Sequence, residues 1–177
     1  RQGKPVLLHG ITGSGKTEIY IKSAMQALSD GKNVMYLVPE IALSRQLEER
    51  LYEHFGERLL VFHSAETAAS RRSTAEAVRN GKGYVVLGTR SSVFLPHHDL
   101  GLIIVDEEHD SSYKQDSPAP RYNGRDTALM MSAIHKCGII SGSATPSLEE
   151  QYNCACGRHV LVELTERYHG TDESDIE

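Results

Sequence analysis

Val6-Leu7-Leu8-His9-Gly10-Ile11-Thr12-Gly13-Ser14-Gly15-Lys16-Thr17 runs from a short apolar stretch through a glycine-rich loop into a segment of helical length. Residues 10–17 match G-x-x-x-x-G-K-[ST], and the strand-loop-helix context is what gives that pattern physical meaning. Gly13 and Gly15 let backbone N–H groups close around a phosphate, while the helix start adds partial positive charge. Lys16 then reaches the β- and γ-phosphates of a nucleotide, and Thr17 ligates Mg²⁺. Gly10, Thr12, Gly13, Ser14, Gly15, Lys16 and Thr17 form the expected nucleotide-binding set, with ATP and Mg²⁺ as cofactors.

Outward from this loop, apolar runs recur at residues 34–38, 59–63, 84–88, 102–105 and 138–141. They are continuous rather than alternating, the pattern of strands buried on both faces of a parallel sheet. Helix-length segments separate them at 16–28, 42–55, 65–79 and 126–136, the second carrying Leu43, Leu47, Leu51 and Phe55 on one stripe. Alternating strands and helices predict an α/β three-layer sandwich. Ser111, Ser112, Ser117, Pro118 and Pro120 argue for irregular backbone between 110 and 125. Irregular loops of that length are usually functional or disordered. The domain is expected over 1–168, followed by an acidic, disordered tail at 169–177.

Leu102-Ile103-Ile104-Val105-Asp106-Glu107 is a buried strand that ends in two carboxylates. Burying two anions there is costly unless a cation meets them. Asp106 is therefore expected to hold Mg²⁺ through its water shell, and Glu107 to orient or deprotonate an attacking water. Lys16, Asp106 and Glu107 are the expected catalytic residues. A hydrolase needs a water-activating carboxylate at this place, whereas a small-molecule P-loop kinase does not. Ser141-Gly142-Ser143-Ala144-Thr145-Pro146 leaves a further apolar strand. Its hydroxyls are expected near the metal carboxylates, with His109, Ser143 and Thr145 reporting the γ-phosphate state.

The 177 residues are 39% hydrophobic and 24% charged, enough for one ordinary domain with a real core. No apolar run approaches the roughly 18 to 20 residues of a membrane span. A formal net charge of -5 excludes a generally basic nucleic-acid coat but not a local basic patch. Three cysteines, an odd count, and no secretory pattern at the N-terminus point to a reducing, cytoplasmic setting. Cys154, Cys156 and His159 make an incomplete metal set, so no zinc is expected.

Residues 10–17, Val38-Pro39-Glu40-Ile41-Ala42-Leu43, Gly88-Thr89-Arg90-Ser91, residues 106–115, Arg121-Tyr122-Asn123-Gly124-Arg125-Asp126 and Gly142-Ser143-Ala144-Thr145-Pro146-Ser147 stand in the order seen in superfamily 2 helicases. More narrowly, residues 4–165 resemble the first ATPase lobe of the primosomal replication-restart helicase family PriA (primosomal protein N′). The resemblance implies a RecA-like P-loop lobe and ATP hydrolysis coupled to 3′-to-5′ movement on DNA. It also implies work at stalled forks in replication restart and primosome assembly, with single-strand-binding protein and other primosome components as partners and no membrane. Pro39, Thr89 and Arg90 match segments expected to meet the strand backbone. Tyr113, Lys114, Arg121, Tyr122 and Arg125, interleaving aromatic rings with cations, are expected to bind single-stranded DNA. With no Trp, stacking is thinner than the family pattern. The second lobe, the zinc element and the N-terminal DNA-binding region of the family are missing, which implies a nearly inactive fragment of a longer protein. A duplex-translocating ATPase of the same superfamily is the nearest rival, a P-loop kinase or a non-catalytic adaptor the more distant ones. The loop from Tyr113 to Arg125 is expected to be poorly ordered, or held by incidental contacts, without DNA.

Overall fold

In the computed structural model, which describes residues 3–165, seven parallel strands form one sheet. The expected acidic tail lies outside the described residues. The strands are β1 (Val6–Gly10), β2 (Asn33–Leu37), β3 (Leu59–Phe62), β4 (Val85–Gly88), β5 (Leu100–Val105), β6 (Gly138–Ser143) and β7 (Val160–Leu164). Their order across the sheet is β3-β4-β2-β5-β6-β1-β7. The helices are α1 (Lys16–Ser29), α2 (Arg45–Phe55), α3 (Ala68–Asn80), α4 (Gly124–His135) and α5 (Leu148–Ala155).

Each face of the sheet has its own apolar layer. Leu8, Val34, Tyr36, Val38, Leu87 and Ile104 pack under Tyr20, Ile21 and Ala24 of α1 and Leu51 and Phe55 of α2. On the other face Met35, Leu37, Ile103, Val105 and Ile139 meet Ala128 of α4 and Tyr113. Val86 and Tyr84 meet Val78 of α3. β2 and β4 are buried at every position, which is why, after the buried Asn33 that opens β2, their sequences are apolar runs.

Cap chemistry sets the helix starts. Ser44, Thr67, Asn123 and Ser147 each accept a backbone N–H of the first turn through the side chain. α2 thus begins at Arg45 rather than 42, residues 40–42 forming a separate 3₁₀ turn. Asn123 likewise starts α4 two residues before the expected 126. α1 is different: its cap is Gly15 in the left-handed region at φ 88°, with no side-chain hydrogen bond. Its first N–H groups are left for a ligand.

The strand order puts β5 and β6 between β1 and β2, so the carboxyl ends of β1, β5 and β6 are neighbours. Register makes this concrete: Leu8 pairs with Gly142, His9 with Ser143, and Leu37 with Val105. Gly142 has no room for a side chain, because a Cβ there would fall 1.5 Å from the Tyr20 hydroxyl. Gly142→Ala is therefore expected to destabilise the chain by about 1 to 3 kcal/mol through overpacking. Urea unfolding measures it, and a variant as stable as the parent would contradict this packing.

Candidate active site

A cleft of about 400 Å³ opens at the carboxyl end of the sheet, lined by Thr12, Gly13, Gly15, Lys16, Thr17, Glu18, Arg50, Asp106 and Glu107. The glycine-rich loop folds back on itself, Ser14 N–H donating to Ile11 O at 3.0 Å. Lys16 is buried, and its ammonium donates to the carbonyls of Gly10 at 2.6 Å and Ile11 at 3.2 Å. The loop thus fixes a cation beside open helix N–H groups, the arrangement that binds phosphate.

Asp106 leaves the end of β5 half-buried. Its Oδ1 accepts from the Tyr20 hydroxyl at 3.0 Å and from the Glu107 N–H at 3.0 Å. Burial pushes its carboxyl up to about 6, and the neighbouring Glu107 charge adds to the rise against the opposing effect of Tyr20 and Lys16. Glu107 holds a left-handed backbone at φ 46°, a costly conformation for a non-glycine residue that aims its carboxylate at the cleft. With Thr17 alongside, these groups suit a hard divalent cation that takes its remaining ligands from water and phosphate. Among the described residues no group of three His, Cys, Asp or Glu is arranged to hold a metal ion by protein ligands alone.

From the carboxylates a chain of contacts runs to β6. Glu107 Oε2 lies 3.6 Å from His109 Nδ1, which lies 2.6 Å from Ser143 Oγ. Ser143 Oγ accepts the Thr145 N–H at 3.0 Å, so Thr145 takes part through its backbone while its side chain faces solvent. Glu108, absent from the expected set, is buried at 1% exposure. It accepts Ser147 N–H at 2.7 Å, the Ser147 hydroxyl at 2.9 Å and Arg125 Nη1 at 3.2 Å. The only sequence signal was its place in an acidic run.

Among the residues expected to meet DNA, several are placed otherwise. Tyr113 is 1% exposed, and its hydroxyl donates to the Asp106 carbonyl at 2.5 Å, so its ring packs in the core and cannot stack on a base. Pro39 and Thr89 are buried as well, which removes them as side-chain contacts. Arg125 spends its guanidinium on Glu108, Asp126 and Ser147. Arg90 Nη1 donates to the carbonyls of Ser112 at 2.8 Å and Lys114 at 3.3 Å. Lys114 and Arg121 are exposed, and Tyr122 is half-buried, set edge-on against Phe94 at 4.7 Å between centroids. Phe94, 63% exposed, was not in the expected set.

The segment between Tyr113 and Arg125 is held by contacts of its own. Lys114 bridges Asn123, Gln115 N–H donates to Tyr122 O at 2.8 Å, and Gln115 Nε2 donates to the carbonyls of Pro118 and Pro120. Tyr113 adds a buried anchor at the start of this loop of serines and prolines. At the opposite end of the sheet a larger cavity, about 690 Å³, is lined by Lys4, Lys22, Gln26, Asp30 and Lys32. It has neither a helix N-terminus nor paired carboxylates, so volume and chemistry point to different ends, and the chemistry decides.

Residues 1–153 match the family model described as DEAD/DEAH box helicase. The chain belongs to the DEAD/DEAH box helicase family. It is 45% identical to the replication restart protein PriA of Rickettsia felis over 174 residues, covering 98% of this chain and 27% of that protein. It is 41% identical to the protein of the same name from Bacillus subtilis over 164 residues, covering 93% of this chain and 20% of that protein. The chain thus spans about a fifth to a quarter of the length of these curated relatives. Among solved structures, RecG bound to a three-way DNA junction matches at TM-score 0.62 and 21% identity, over 96% of this chain and 22% of that one. The Pyrococcus furiosus Hef helicase domain matches at TM-score 0.62 and 17% identity, over 93% of this chain and 36% of that one. These likenesses show the fold, a RecA-like helicase lobe.

The raised Asp106 carboxyl sets a pH dependence. Because its folded pKa of about 6 lies above its ordinary 3.8, the ionised form is disfavoured by folding. The benefit of protonation is full below about pH 4 and is lost as pH rises through about 6. A shift of about two units corresponds to roughly 3 kcal/mol. In nucleotide-free chain, Asp106→Asn is expected to flatten the loss of stability between about pH 4 and pH 7 by an amount of that order. Parallel denaturation curves at the two pH values test it, and an unchanged pH dependence in the variant would refute it.

Proposed function

We propose that the chain is the ATP-binding lobe of an ATP-dependent 3′-to-5′ DNA helicase acting at stalled replication forks, in replication restart and primosome assembly. The observation that carries this reading is the joining of the phosphate loop to the Asp106-Glu107 pair in one cleft. The relatives at 41 to 45% identity, named for replication restart, supply the biological setting. The cofactors are ATP and Mg²⁺. The substrate is DNA, single-stranded and forked, and in the longer protein single-strand-binding protein and other primosome components are partners. The setting is cytoplasmic; no helix among the described residues is long and apolar enough to cross a membrane.

Mg²⁺ held by Thr17 and Asp106 would neutralise phosphate charge and polarise the reacting phosphoryl group. Lys16 and the N–H groups of residues 13–17 bind the phosphates and stabilise the charge that grows on them. Glu107 orients the attacking water and accepts its proton. His109 and Ser143 tie that carboxylate to β6, so movement at the rim of β6 shifts the base. Tyr113 ties the 113–125 segment to the Asp106 backbone, giving a strand on Arg121, Tyr122 and Phe94 a short mechanical route to the cleft.

In the longer parent protein, Glu107→Gln is expected to bind ATP as before while hydrolysis stops, because the amide keeps the shape but takes no proton. Lys16→Ala loses both charge stabilisation and nucleotide affinity. Hydrolysis by Glu107→Gln at the parental rate would show that the base has been misassigned.

Tyr122→Ala in the same parent is expected to lower DNA-stimulated hydrolysis with nucleotide affinity intact. Stacking is worth about 1 to 3 kcal/mol per base, so the loss of strand affinity is partial. Thermal stability and stimulated ATPase are read on one sample. A lower melting temperature with normal stimulation would mean that Tyr122 only packs.

A further inference from the structure

α2 brings to the phosphate cleft a cation that belongs to none of the motifs. Arg50 lines the same wall as Thr17 and Glu107, while its Nη2 donates to Glu18 Oε1 at 2.5 Å. Glu18 directly follows Thr17 in the first turn of α1, so the pair sits where helix N–H groups face a ligand. Both side chains keep access to solvent, at 47% and 31% exposure. An ion pair that open is worth at most about 1 kcal/mol, too little for holding α1 to α2 to be its main effect.

Charge in the cleft gives the pair another meaning. Two cations, Lys16 and Arg50, face three carboxylates, Glu18, Asp106 and Glu107, before any phosphate enters. A polyanion binding there gains from each fixed cation. A guanidinium has five donors in a planar fork that matches phosphate oxygens, and the bond to Glu18 uses one of them. Pinning one corner also removes side-chain freedom that a lone Arg would lose on binding.

We propose that Arg50 is a phosphate-binding residue of the nucleotide site, supplied from α2 of this same lobe and positioned by Glu18. Its ligand is the phosphate chain of a nucleoside di- or triphosphate. The proposal rests on the reading of the cleft as a nucleotide site and adds to it a cation outside the phosphate loop.

Fluorescence titration of this chain with a non-hydrolysable ATP analogue and Mg²⁺ tests it, on the parent, Lys16→Ala, Arg50→Ala, Arg50→Lys and the double variant Glu18→Gln, Arg50→Ala. Arg50→Ala is expected to weaken binding about tenfold, in line with loss of a charge-assisted hydrogen bond. Its melting temperature should stay within a few degrees of the parent. Arg50→Lys recovers part of the affinity, since an ammonium keeps the charge but not the fork. The double variant stays weak. Parental affinity in Arg50→Ala overturns the proposal. Parental affinity in the double variant overturns it too, because Arg50 would then only neutralise Glu18. If the parent binds and Lys16→Ala does not, the nucleotide site stands whatever Arg50 does. A parent that fails to bind overturns both.

Discussion

Asp106 and Glu107 set two carboxylates side by side where a strand buried over its last four residues meets the cleft. Like charges in a partly dry place repel, and burial adds a larger cost than the repulsion. Much of the surrounding architecture answers this one difficulty. The Tyr20 hydroxyl, the Glu107 N–H and the Lys16 charge each favour the ionised Asp106, and burial still wins. A divalent cation with its water shell would supply what the protein groups do not. Gly142 is needed because Tyr20 reaches from α1 past β6 to that carboxylate, and any Cβ at 142 would occupy the place of its hydroxyl.

The same crowding joins the motifs mechanically. Behind the Asp106-Glu107 pair, Glu108 collects Ser147 and Arg125, so the exits of β5 and β6 and the start of α4 share one buried carboxylate. Arg90, from the exit of β4, holds the carbonyls of Ser112 and Lys114. Removing one partner of such a buried pair leaves an uncompensated charge, which is costlier than losing an exposed contact. These contacts tie together segments separated by up to 57 positions, from Arg90 to Ser147.

The fold was readable in the sequence because its strands are buried on both faces and its phosphate loop sits between a strand and a helix. Elements at the margin were harder. Val160–Leu164 forms an edge strand with Val160, Leu161 and Val162 exposed at 40 to 45%, and α5 has only eight residues, so neither gives a strong period. Helix starts followed the caps Ser44, Thr67 and Asn123 rather than the apolar stripe. Within the site, Lys16, Thr17, Asp106 and Glu107 converge as their motifs imply. Tyr113 misled because an aromatic among cations looks the same whether it packs inward or faces a base. Glu108 and Arg50 carry no local pattern; only the fold shows that one is buried and the other reaches the cleft.

The central claim is that this end of the sheet, and not the larger cavity at the other end, is built for a metal-bound nucleotide. Backbone amide NMR of the chain during titration with Mg²⁺ and a non-hydrolysable ATP analogue addresses it directly. The account predicts the largest shifts at residues 13–17, with a second set at 106–109 and at Ser143. Shifts centred instead on Lys22, Gln26 and Lys32, with the phosphate loop unmoved, would contradict it.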